Sequence, residues 1–102
     1  MSLEIQMAVI DSGLNEKLLD RKKIRNRFEV DENNDFIEER SMSKASDFLH
    51  GTICAIIIEK YCPDAVFNSI RILNQNGTGG VEKLEPALEW CCKNNIKIVN
   101  LS

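Results

Sequence analysis

The chain is expected to fold as an α/β domain, three layers deep, around a mainly parallel sheet. Three features predict this. Apolar runs of strand length lie at Met7-Ala8-Val9-Ile10, at Ala65 to Leu73 and at Ile96 to Leu101. Between the last two runs, Val81 to Lys93 carries Val81, Leu84, Leu88 and Cys91 at helical spacing, with charges on the other side. The first run closes directly on the turn residues Asp11-Ser12-Gly13. Strands alternating with helices need crossover connections, and crossovers give parallel strands covered on both faces.

Taken in order, Glu4 to Ile10 reads as the first strand. Asn15 to Lys23 reads as a short helix or a loop, and Ile24 to Val30 as a second strand. The polar stretch from Asp31 to Asp47, rich in Asn, Glu and Ser, is the least structured region by composition. Ile53 to Ile58 is ambiguous. Its β-branched content suits a buried strand, while its continuation into Glu59-Lys60-Tyr61 suits a buried helix. Pro63-Asp64 breaks the chain, Ala65 to Leu73 alternates as a strand, and Asn74 to Gly80 is a flexible loop. Pro86 is comfortable only in a first turn, so the regular helix is expected to begin near Leu84 or Glu85. Ile96 to Leu101 closes the sheet as a buried-type strand. Its outer edge would be apolar and unpaired, so the sheet looks cut through rather than finished.

At 102 residues the chain is a single domain, residues 1–102. Its net charge of -3 argues against nucleic-acid binding, which wants a basic stripe. The one basic cluster, Arg21-Lys22-Lys23 with Arg25 and Arg27, is offset by acids from Glu29 to Glu39 and reads as a solvated connection. No apolar run approaches the roughly 20 residues of a membrane span, and no signal peptide is visible. Four cysteines without a CxxC, and a single histidine, give no metal-site spacing, so neither a metal nor another cofactor is expected. Cys54 and Cys91 read as reduced core thiols, which favours a reducing, cytoplasmic setting.

Two short motifs stand out. Asp11-Ser12-Gly13 places an acid at the carboxyl end of the first strand, and His50-Gly51-Thr52 places an imidazole at the start of the next apolar element. An acid and an imidazole at one end of a sheet form an orienter and a base. Taken alone, an aspartate after a first parallel strand also fits a phosphate-accepting receiver domain, although no acidic pair accompanies Asp11. The glycine loop Gly77-Thr78-Gly79-Gly80 lacks the lysine and the spacing of a P-loop.

In order along the chain, Val9-Ile10-Asp11-Ser12-Gly13, His50-Gly51-Thr52, Pro63-Asp64-Ala65 with Ser69 to Leu73, Asn76-Gly77-Thr78-Gly79, Ala87-Leu88-Glu89-Trp90 and Ile98 to Ser102 resemble the amino-terminal part of a subtilisin-like serine protease. The resemblance covers nearly the whole chain. It implies a truncated subtilisin-like fold, with Ile53 to Ile58 in a helix. It also implies that Asp11 orients His50 and that His50 is the general base for a serine. Leu73, Gly77, Thr78 and Gly79 would line the cleft where a peptide or protein substrate pairs as an added strand, and Ser102 would begin the opposite wall. Where the family has a second histidine and a glycine, this chain has Ile53 and Ile56. None of its serines stands in the family's Gly-Thr-Ser context. The expected partners are therefore a second segment or chain supplying the serine or, in a non-catalytic reading, a further copy joined through the last strand.

Overall fold

The computed structural model describes residues 4–40, 49–72 and 81–101. Five strands form one sheet in the order β3-β2-β4-β1-β5. They are β1 (Ile5–Asp11), β2 (Ile24–Val30), β3 (Phe36–Glu38), β4 (Ala65–Arg71) and β5 (Ile98–Leu101). β2, β4, β1 and β5 run parallel, and β3 returns antiparallel to β2. Two helices, α1 (Leu49–Tyr61) and α2 (Val81–Lys93), cover the sheet.

Side-chain alternation divides the core. On one face Met7, Val9, Ala65 and Phe67 meet Ala55 of α1, together with Leu14 and Leu19. On the other, Ala8, Ile10, Val30 and Ile70 meet Ala87 and Cys91 of α2. The helices therefore lie on opposite faces, and the expected α/β architecture of three layers is present. Leu14 and Leu19 belong to a tight turn in which Asn15 O accepts the N–H groups of Leu18 and Leu19. The segment 15–23 ends in a single 3-10 turn, Arg21–Lys23, capped by Asp20 Oδ1 on Lys22 N at 3.0 Å.

Several expectations are corrected. β4 does not alternate between buried and exposed: all seven of its residues are buried, because it is central and covered on both faces. The polar stretch after Asp31 holds β3. Asp31 Oδ1 accepts the N–H groups of Asn33 and Asp35, both at 2.9 Å, Asn34 takes the left-handed conformation at φ 65°, and Phe36-Ile37-Glu38 pairs back on β2. α2 begins at Val81 rather than near Leu84, with Pro86 inside it. A proline there removes only the bond to the carbonyl of Glu82, close to the end whose N–H groups lack helical partners in any case. The basic cluster is also more than a solvated connection. Arg25 and Arg27 lie in β2, where Arg25 pairs with Glu4 at 2.8 Å and Arg27 with Glu39 at 2.9 Å.

β5 lies at one edge of the sheet, with Ile98 and Leu101 about half exposed rather than buried. Among the described residues, no helix is long and apolar enough to cross a membrane. None of the four cysteines forms a disulfide.

Candidate active site

β1 presents Met7, Val9 and Asp11 to the α1 face, because successive side chains alternate across a strand. Asp11 is the last residue of β1 and is completely buried. α1 starts at Leu49 and brings His50 to the same end of the sheet. His50 Nδ1 lies 2.7 Å from Asp11 Oδ2. An ionised carboxylate only accepts, so Nδ1 carries the hydrogen and donates it to Asp11. In the neutral ring that arrangement leaves the lone pair on Nε2, and the side chain is 65 % exposed. The other carboxylate oxygen, Oδ1, accepts the N–H of Ser12 at 2.6 Å, which fixes the plane of the group.

The rest of both motifs holds these two side chains in register. Gly51 N donates to Ser12 Oγ at 3.2 Å, satisfying one of the orphan donors of the first helical turn. A Cβ at position 51 would lie 2.5 Å from the carbonyl oxygen of Gly13 and 3.3 Å from Asp11 Cβ. Only glycine allows the helix so close to the strand end. Gly13, at φ 104°, makes the turn that presents that carbonyl. Thr52 is fully buried, and its Oγ1 accepts the N–H of Asn15 at 2.7 Å. Asp-Ser-Gly and His-Gly-Thr are thus two halves of one clasp.

Charged groups border the clasp on the same face. Arg71 stands beside Asp11 in the β1–β4 register, and Glu29 stands beside Arg71 in the β4–β2 register. Glu29 accepts from Arg40 N at 2.6 Å and from Arg40 Nη2 at 2.9 Å. Glu39 is held by Arg27, yet burial pushes its carboxyl above the usual carboxylate range, outweighing the pull of Arg27 and Arg71.

Asp11 and His50 are brought together as expected. Leu73, Gly77, Thr78, Gly79 and Ser102 lie outside the described residues. Two serines fall within them. Ser12 Oγ accepts from Gly51, and Ser69 is buried in mid-strand with its Oγ unpartnered. Neither is placed as an exposed nucleophile.

One neighbour was not anticipated. Cys54, read from the sequence as a core thiol, is only partly buried, and its Sγ lies within 4.8 Å of ligand atoms of both Asp11 and His50. The available signal was the four-residue step from His50 to Cys54, which places both on one face of a helix. It was hidden because the segment could not be read as helix from its own residues.

Comparisons with protein-family models, with curated proteins and with solved structures return no match for this chain.

Proposed function

We propose that this chain is the amino-terminal part of a subtilisin-like serine endopeptidase, contributing the orienting acid Asp11 and the general base His50. The observation that carries this reading is the 2.7 Å contact from His50 Nδ1 to the fully buried Asp11, with the opposite side of the ring exposed. In a Ser-His-Asp mechanism the aspartate fixes the tautomer. Nε2 then takes the serine proton during attack and returns it to the leaving amine. The nucleophile comes from sequence beyond Ser102 or from a second chain, and the 102 residues alone do not hydrolyse peptides.

Reading the coding frame past Ser102, together with fluorophosphonate labelling of the native protein, tests this. A continuation carrying an asparagine and a Gly-Thr-Ser segment, with a labelled serine, is the expected result. Asp11→Asn in that protein should lower kcat by about 10⁴-fold, as loss of the orienting carboxylate does in such triads. A frame without that segment and a native complex that takes no label would overturn the reading.

A second reading is favoured by Ile98 and Leu101, which leave an apolar edge on β5. In it the chain is a non-catalytic remnant of the same fold that binds a peptide or its own copy by strand addition. Sedimentation that gives only a folded monomer at high concentration, with no change on adding extended peptides, would remove it.

A further inference from the structure

We infer that Asp11, His50 and Cys54 form a binding site for a borderline-soft divalent cation of the zinc class. One ligand atom from each residue lies within 4.8 Å of the other two. Bond lengths of about 2.0–2.3 Å to oxygen, nitrogen and sulfur place tetrahedral zinc ligands about 3.5 Å apart. The three atoms therefore close onto an ion by small side-chain rotations. His50 is the exposed member and supplies both the adjustment and the entry path.

The donor set selects the metal class. One carboxylate, one imidazole and one thiolate match zinc and cobalt(II), whereas magnesium and calcium prefer all-oxygen sites. Three protein ligands leave a fourth position for water. His50 and Cys54 lie four residues apart on α1, one turn above each other. Asp11 Oδ1 is already held by Ser12 N, and Gly51 and Thr52 lock α1 against the 12–15 turn. Such outer contacts fix ligands before the ion arrives.

Binding exchanges a proton for the cation. The Cys54 thiol loses its proton to solvent, and with Nδ1 as the ligand the His50 ring stays neutral by carrying its hydrogen on Nε2 instead, so one proton is released as three metal–ligand bonds form. The loaded site no longer has the Asp11–His50 hydrogen bond. The cation therefore competes with any base role of His50. Metal binding at these three residues does not depend on that role.

Cobalt(II) titration of the reduced chain provides that test. One equivalent should bind with a thiolate-to-cobalt charge-transfer band in the near ultraviolet, and one equivalent of Zn²⁺ should bleach it. Cys54→Ser should abolish the band. His50→Ala, at an exposed position, should weaken binding at least tenfold. Cys62→Ser and Cys92→Ser should leave the spectrum unchanged. Zn²⁺ should also raise the unfolding midpoint of the unaltered chain and not that of Cys54→Ser, whose fold is checked by far-ultraviolet circular dichroism. No band in the unaltered chain, or a band that survives in folded Cys54→Ser or moves with Cys62 or Cys92, would overturn the site.

Discussion

The two helices cover opposite faces of one sheet and are held there by different physics. α2 is segregated. Ala87 and Cys91 are buried, Leu84, Leu88 and Trp90 pack beside them, and Glu82, Glu85 and Cys92 face outward. Trp90 also stacks on Phe36 at 5.9 Å and meets Phe28 at 5.1 Å, tying α2 to the β2–β3 hairpin. α1 is apolar nearly all round, yet Ile53, Ile56 and Ile57 are each 41 to 53 % exposed. Ala55 is its fully buried apolar contact with the sheet, and its position is set by the polar clasp at its first turn. A hydrophobic stripe docks α2, whereas a glycine-permitted close approach and three hydrogen bonds dock α1. The helix with the more apolar sequence is thus the one that depends more on polar contacts.

The comparison can be broken most severely on the α2 face. Ile70→Ala opens a cavity beneath α2 and should cost about 2–5 kcal/mol, read from denaturant unfolding. A cost under about 1 kcal/mol would show that this face does not hold the fold.

Gly51→Ala attacks the clasp instead. Its Cβ meets backbone at 2.5 Å, so the helix start must move, at an expected cost of about 1–3 kcal/mol. Unlike Ile70→Ala, it should also part His50 from Asp11. In the nuclear magnetic resonance spectrum, the His50 Nδ1–H signal should lose its downfield position while the α2-face methyl signals stay in place. Movement of both faces together would deny that the two helices are docked independently.

The polar border of the α1 face sharpens the contrast through pH. Burial raises the Glu39 carboxyl above 4.5 in the folded chain, so the folded state holds its proton longer than the unfolded state. The stability this contributes is complete below pH 4.5 and is lost as pH rises through the higher folded value. Glu39→Gln lacks that loss, so the stability advantage of the unaltered chain over the variant should shrink as pH rises from 4.5. An advantage that grows with pH would mean that the ion pair with Arg27 outweighs burial.

The smallest effect is expected on the outer side of α1. Ile57→Ser should change stability by less than about 0.5 kcal/mol, despite removing a large apolar side chain, because Ile57 is 53 % exposed. A loss above 2 kcal/mol would show that this surface is covered in solution.

Much of the fold was legible in residue order. Strands β1, β2, β4 and β5 and helix α2 follow from apolar runs and from one segregated helical stripe, since each satisfies its local period. The exceptions have local causes. β3 is three residues long and sits in a polar stretch, so its Phe36 gained meaning only when the Asp31 turn folded it onto Phe28 and Trp90. β4 was placed correctly but its burial was misread, because alternation cannot report coverage on both faces.

At the site, neither Asp11 nor His50 stood out alone; the order and context of their two motifs paired them. The parts played by Gly51 and Thr52 were not legible. One is defined by a carbonyl 38 residues earlier in the chain, at Gly13, and the other by a donor at Asn15. The place of Cys54 was misassigned outright, since a half-buried thiol and a core thiol look the same in a β-branched run.

By itself the sequence determined the layered α/β plan, strands β1, β2, β4 and β5, the segregated helix and the two motifs, all of which rest on interactions between near neighbours in the chain. Tertiary structure alone decided the direction of α1's isoleucines, the hairpin edge, the 2.7 Å meeting of His50 with Asp11 and the arrival of Cys54 beside them. Each of these depends on contacts across tens of residues, which chain closure creates and local periodicity does not encode.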